Sequence, residues 1–180
     1  MARGIDFGEL KKSLSDKIYT ESGKIILFPE LLLADLKRLD KVFQAKNNNK
    51  ENEILLIGRR HVRSNNSWMH NSERLVKGNN RCTLMIHPKT ADRLNILNKS
   101  SVIVSSRVGS VIIPLEITED IMPNVVSIPH GYGHQKAGSQ LDIAKNHAGV
   151  SINDLTDELF IDKLTGNAAF SGVAVTVEGI

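Results

Sequence analysis

Cysteine is almost missing from this 180-residue chain: there is one, Cys82. A single thiol excludes an intramolecular disulfide, a thiolate zinc site and an iron–sulfur cluster built from this chain alone. Aromatic residues make up only 4 % of the sequence, so a core has to be assembled from Ile, Val and Leu. No apolar run approaches the roughly 20 residues of a transmembrane helix, and no membrane insertion is expected. The N-terminus carries Asp6 and Glu9 and lacks the apolar stretch of a signal peptide. The sequence as written therefore predicts a cytoplasmic location, with the reservation that an export signal could lie on a missing N-terminal part. Neither charge sign dominates: 23 Lys and Arg stand against 20 Asp and Glu, a formal net charge of +3. That balance tolerates an anionic ligand without requiring nucleic acid.

What is present is patterned. The length suits one domain, or one domain with an arm. Residues 1–50 read as the arm: Ile26–Phe28 as a short strand, Pro29 where the first turn of a helix accepts it, then Leu32, Leu36, Leu39 and Phe43 at helical spacing. A polar linker, 44–50, closes it. From residue 51 to 180 the pattern changes to short β-strands, at Ile54–Ile57, Thr83–Ile86, Val102–Val104, Val111–Leu115, Val125–Ile128 and Val173–Val177. Gly109 marks a hairpin turn, and Pro114 predicts an edge or bulge position in the following strand. Short helices are expected from Pro88 to Leu94 and over Ser151–Leu159, where Ser151 and Asp154 have capping-box spacing. Strands with short helical insertions predict a closed β-barrel. There is no tandem repeat.

Three ordered segments resemble the molybdopterin dinucleotide-binding domain, the C-terminal domain of the formate dehydrogenase, nitrate reductase and dimethyl sulfoxide reductase superfamily. The first is Leu56-Ile57-Gly58-Arg59-Arg60 followed by Asn65-Asn66-Ser67. The second runs from Ile86-His87-Pro88 through Val102-Ile103-Val104 and Ile121-Met122-Pro123 to Pro129-His130-Gly131-Tyr132-Gly133-His134. The third is Val150–Leu155 with Asn153, then Asp162-Lys163-Leu164-Thr165-Gly166. Residues 1–45 also resemble the segment preceding this domain in some members, through Ile5-Asp6-Phe7-Gly8-Glu9-Leu10 and Ile26-Leu27-Phe28-Pro29-Glu30. The resemblance implies a mainly β double-psi β-barrel with short helices, preceded by a helical N-terminal arm. It implies molybdopterin guanine dinucleotide as cofactor, in the bis form with Mo or W in a parent enzyme, and two-electron redox chemistry done by that whole enzyme. This chain would be a fragment or separate subunit that binds the cofactor, inactive by itself, with the remaining domains or subunits of the parent as partners. No residue of this chain is expected to be catalytic or to ligate the metal. Five positions depart from the family pattern: Thr90 stands where Asp is usual at the guanine end, Ser100 where Asp is usual beside a turn, and Asn95, Lys99 and Asn124 where Gly is common.

The residue types suit such a ligand. Arg59, Arg60, His61 and Arg63 follow a strand directly, and guanidinium forks match phosphate oxygens. Gly58 lets backbone approach closely. Asn65, Asn66 and Ser67 offer donors and acceptors for pterin and ribose edges. His130, Gly131, Tyr132 and Gly133 form a loop able to lie flat on a ring; Asn153 reads a pterin edge or merely caps a turn. His87, Pro88 and Thr90 complete the candidate set. Plainer alternatives stand beside these. The Arg59–Arg63 run also fits a solvated turn or, with Lys77–Arg81, a nucleic-acid patch, although scarce aromatics and the small net charge oppose nucleic acid. His130 and His134 have the spacing of a helical metal pair, but Gly131 and Gly133 argue against a helix there. Trp68 and Met69 suit a ligand stack or a core or interface. Cys82 reads as a packed thiol, and Asp92 and Arg93 as a solvated helix face. A non-enzymatic barrel adaptor that binds a protein partner is the alternative function.

Overall fold

The computed structural model describes residues 4–47 and 52–180. The chain falls into two compact units, Met1–Asn49 and Lys50–Ile180. The first holds a 3-10 turn at Ser15–Lys17 and one long helix, α1 (Glu30–Asn47). Pro29 stands immediately ahead of α1, and its carbonyl accepts bonds from the Leu32 and Leu33 amides at 3.0 and 3.1 Å. The strand expected over Ile26–Phe28 does not form: no second strand is offered among the described residues of this unit, and a lone strand leaves its backbone groups unpaired. α1 also runs beyond Phe43, so the first residues of the expected linker are helical; residues 48–50 of it lie outside the described residues. Leu32, Leu36, Leu39 and Phe43 are all exposed.

The second unit is a closed barrel of six strands: β1 (Ile54–Arg59), β2 (Leu84–Ile86), β3 (Ser101–Ser105), β4 (Ser110–Ile117), β5 (Val125–Pro129) and β6 (Val173–Gly179). Around the barrel the order is β1-β5-β2-β4-β3-β6. β1 runs parallel to β5 and β2 parallel to β4, while the other four ladders are antiparallel. Closure gives every strand a neighbour on both sides over at least part of its length. Burial alternates as a one-sided strand requires: Val102 and Val104 in β3, Val111 and Ile113 in β4, and Val173, Val175 and Val177 in β6 point to the interior. Leu56, Leu84, Ile86, Ile113 and Ile128 are fully inaccessible and fill it. Truncating one of these to Ala costs about 2–5 kcal/mol.

Pro114 sits inside β4, facing Ser101 of β3. The ladder with β2 begins only at Leu115, so the missing N–H of Pro114 falls where that side of β4 has no neighbour. The proline is thus tolerated at a local edge within a closed sheet.

Short helices connect the strands: α2 (Glu73–Val76), α3 (Pro88–Arg93) and α4 (Asp142–Asn146). The helix expected over Ser151–Leu159 is instead a single 3-10 turn, Ile152–Asp154. Ser151 does cap it, accepting from the Asn153 amide at 3.3 Å. The turn then stops because local side chains capture the backbone: Thr156 Oγ1 donates to Asn153 O at 3.1 Å, and Asp157 Oδ1 accepts from the Leu159 amide at 2.8 Å. Asn95 and Asn124 hold left-handed backbones, with φ of 56° and 62°; Asn is a residue that replaces Gly at low cost there. Lys99 is not left-handed.

Candidate functional site

Parallel neighbours end at the same end of a sheet, and this brings two candidate loops together. Arg59 pairs with Pro129, and the His130 amide donates to Arg59 O at 3.0 Å. The segment 60–71 and the segment 130–150 therefore leave the barrel side by side. Gly58 packs beneath the His130 ring, and a Cβ there would run into His130 Nε2. Gly131, at φ 91°, lies against the Asn66–Ser67 peptide, where a Cβ would overlap Asn66 O and stand 2.9 Å from Ser67 N. Gly is the only residue that permits that approach. Gly133 in turn packs on Ser151, which places the turn bearing Asn153 next to the same loops. Asn153 itself is exposed.

The face so formed is polar and cationic. Arg60, His61, Arg63, Asn65 and Asn66 are exposed, and Ser67, His130, Gly131, Tyr132 and Gly133 are half-buried. Asn65 and Asn66 are both left-handed, at φ 42° and 62°, which turns the chain sharply. The Arg60 guanidinium donates to Asn66 Oδ1. Trp68 is 86 % exposed, so it is not a core residue here. Burial lowers the basicity of His130, assisted by the neighbouring Arg60 charge. Burial, then Arg81, Arg63 and Arg59, lowers that of His61. Both imidazoles are therefore neutral near pH 7 and offer one donor and one acceptor each, while the arginines supply the positive charge. A cleft of about 410 Å³ adjoins this face, lined by Ser110, Val111, Gly133, Lys136, Ser151 and Asp154. A larger cleft, about 610 Å³, is lined by Asn52, Ser105, Arg107, Val175 and Thr176 and contains no candidate residue.

Two expectations change. Arg59 does not present its guanidinium to a ligand. It bonds Ser127 O at 2.5 Å, Arg81 O at 3.1 Å, and Thr83 O and Oγ1 at 2.9 Å each. Thr83 Oγ1 in turn donates to the Glu116 carboxylate. Arg59 ties β5 to the segment leading into β2, with β4 reached through Thr83, and its burial lowers its pKa against the opposing pull of Glu116. The second change concerns His87, Pro88 and Thr90 on α3. Ile86 pairs with Val126 in antiparallel β2 and β5, so α3 lies where β5 begins, whereas His130 lies where β5 ends. A five-residue strand separates the groups by roughly 17 Å. Thr90 is 1 % exposed and its Oγ1 accepts from the Asn124 amide at 2.8 Å. His87 is the helix cap, its Nδ1 accepting from the Lys89 amide at 3.0 Å.

Reading residues one by one missed what joins the loops. His70 is 2 % exposed, and its Nδ1 lies 2.7 Å from His134 Nε2. The Tyr132 ring lies 4.4 Å from that of His70. Asn71 Oδ1 accepts from the Ile143 and Ala144 amides at 3.1 and 3.2 Å, capping α4 from the other loop. Cys82 is buried and accepts from the Val150 amide at 3.3 Å, a packed thiol as expected. No local spacing could have revealed these partners. Among the described residues no group of three or more His, Cys, Asp or Glu could hold a metal ion, and no helix is long and apolar enough to cross a membrane.

Comparison with known proteins bears on the family and the fold. The family model described as "Molydopterin dinucleotide binding domain" matches residues 54–174. The chain is 31 % identical over 121 residues to ArrA, the molybdopterin-containing part of the arsenate respiratory reductase of Chrysiogenes arsenatis, covering 62 % of this chain and 14 % of that protein. It is 25 % identical over 112 residues to a tetrathionate reductase chain of Salmonella typhimurium, covering 53 % of this chain and 11 % of that one. The chain thus spans a small part of the length of the curated relatives it matches. Among solved structures, acetylene hydratase from Pelobacter acetylenicus shares the fold with a TM-score of 0.61 at 17 % identity, over 77 % of this chain and 20 % of that one. With well over half of its residues matched, the chain belongs to the family of molybdopterin dinucleotide-binding domains of molybdoenzymes.

Proposed function

We propose that this chain grips the guanine form of a molybdopterin dinucleotide on the face where the loops after β1 and β5 meet, as one part of a larger molybdenum- or tungsten-dependent oxidoreductase. The observation that carries the reading is the juxtaposition of Arg60, Asn66 and His130 by two parallel strands. The donor set fits the ligand. Arg60, His61 and Arg63 suit a pyrophosphate. Asn65, Asn66, Ser67 and the neutral His130 suit the donor and acceptor edges of a pterin or ribose. Tyr132 and the glycines around it pack this loop, and Asn153 borders it. A bound cofactor would supply the two-electron chemistry through its metal, and this chain would hold and orient it. The parallel pairs β1–β5 and β2–β4 support reading the barrel as double-psi. The remaining parts of a formate dehydrogenase-like parent are the proposed partners, consistent with the small share of the relatives' length that this chain spans.

The test is cofactor retention after expression in a molybdopterin-producing host, measured as released pterin fluorescence. Arg60→Ala and Asn66→Gly, the latter keeping the left-handed turn, are each expected to lower retention by about tenfold, the scale of one charge-assisted or buried hydrogen bond. Unchanged loading in both would overturn the assignment. A titration with GDP against ADP tests the guanine form.

A further inference from the structure

The two loops are held to each other by a contact that the cofactor reading does not use. His70 lies in the segment after β1 and His134 in the segment after β5, 64 residues apart, with their ring nitrogens 2.7 Å from one another. The His70 ring is almost wholly buried, and it stacks at a tilt on Tyr132 and edge-on to His134, with centroids 5.0 Å apart. An N···N contact of this length needs one ring to donate and the other to accept, so at least one of the two must be neutral. The titratable groups facing His70 oppose a positive charge on it or leave it uncompensated: His134 and Tyr132 from the β5 loop, Arg81 from the segment before β2, and His147 from the end of α4. No carboxylate is among them. The backbone of Gly131 pulls the other way and is outweighed.

From this geometry we infer that His70 and His134 are positioning residues forming a latch between the two cofactor loops, and that mild acid releases it. This rests on the proposed site only for its consequence, cofactor release; the latch itself is a property of the chain without ligand. A first added proton places a cation in a buried pocket beside the permanently charged Arg81. A second converts both facing nitrogens to donors and abolishes the bond. Burial withholds solvent from either charge and lowers the basicity of both rings. The loops then part while the barrel, whose ladders involve no histidine, stays closed.

Hydrogen exchange on the full chain without cofactor tests this directly. Protection factors, corrected for intrinsic exchange, are followed in 61–71 and 130–148 and in the barrel strands between pH 7.5 and 4.5. The expected result is a loss of at least about tenfold in both loops together, since each linked proton shifts an opening equilibrium by up to a decade per pH unit, with the strands unchanged. In His134→Gln, whose amide can still bond His70 but does not titrate, the loss across the same range is expected to shrink severalfold. Should that variant fold poorly, the nitrogen chemical shifts of the two rings in the unaltered chain serve instead, showing both neutral with a single shared proton at pH 7.5. Equal loop protection at both pH values, loss spread over the barrel, or rings that titrate independently near pH 6.5 overturns the latch. None of these outcomes depends on whether a pterin binds. If the latch is present but pterin retention is the same at pH 7.5 and 4.5, the latch stands and the placement of the cofactor is what fails.

Discussion

Gly58 carries the His130 imidazole directly over its α-carbon, so any side chain at 58 collides with the ring. Gly58→Ala is therefore expected to destabilise by about 1–3 kcal/mol, the cost of overpacking, and to displace His130 from the loop face. Denaturant unfolding measures the first effect. If the clash is the cause, the cost of the substitution largely disappears in a His130→Ala background, a coupling that a double-mutant cycle reads out.

Adjacent arginines are predicted to behave oppositely. Arg59 bonds three carbonyls and a hydroxyl inside the barrel wall, and Arg59→Met leaves them unsatisfied, costing about 2–4 kcal/mol. Arg59→Lys recovers little, because an ammonium cannot reproduce the fork. Arg60 is exposed, and Arg60→Ala is expected to change unfolding free energy by less than about 0.5 kcal/mol while lowering pterin retention. Equal effects of both substitutions on stability would contradict this division.

Thr90→Val tests whether α3 has a structural task. It removes the acceptor of the Asn124 amide at a site 1 % exposed, and a loss of about 1–2 kcal/mol is expected. Discrimination between GDP and ADP should not change, because the Thr90 side chain is buried. A change in nucleotide preference without loss of stability would return Thr90 to the ligand.

Stability should fall in mild acid. Burial foremost, with His134 next, lowers the His70 pKa from 6.5 to about 4. Between those values the unfolded chain binds the proton and the folded chain does not, so the contribution is full above pH 6.5 and is lost as pH falls toward 4. A single group sets a slope of at most about 1.4 kcal/mol per pH unit. Urea midpoints at pH 7, 6 and 5 measure it, and His70→Asn should flatten the trend. His61, His130 and His134 shift in the same direction and add to it.

The strands were legible because their periodicity is local. Val102 and Val104, or Val111 and Ile113, announce an inward face within five residues, and a barrel follows from several such runs. α3 was legible through His87 and Pro88. Arg59 was misread because its acceptors are supplied from 22 to 68 residues away, and a guanidinium after a strand looks the same whether it turns outward or in. His70 escaped notice for a similar reason: its loop has no period, and only folding brings His134 to it. Ile26–Phe28 misled in the opposite sense, having strand composition without a partner. The short helices α2 and α4 carry too few turns to show an apolar stripe.

One consequence of the topology concerns synthesis. β1 is flanked by β5 and by β6, with Ile54 against Val175. The earliest strand of the barrel to leave a ribosome thus waits for the last one before the ring can shut. A nascent chain arrested before residue 173 would hold an open sheet whose apolar interior is accessible to chaperones. Whatever needs the closed ring would accordingly wait until β6 has been made.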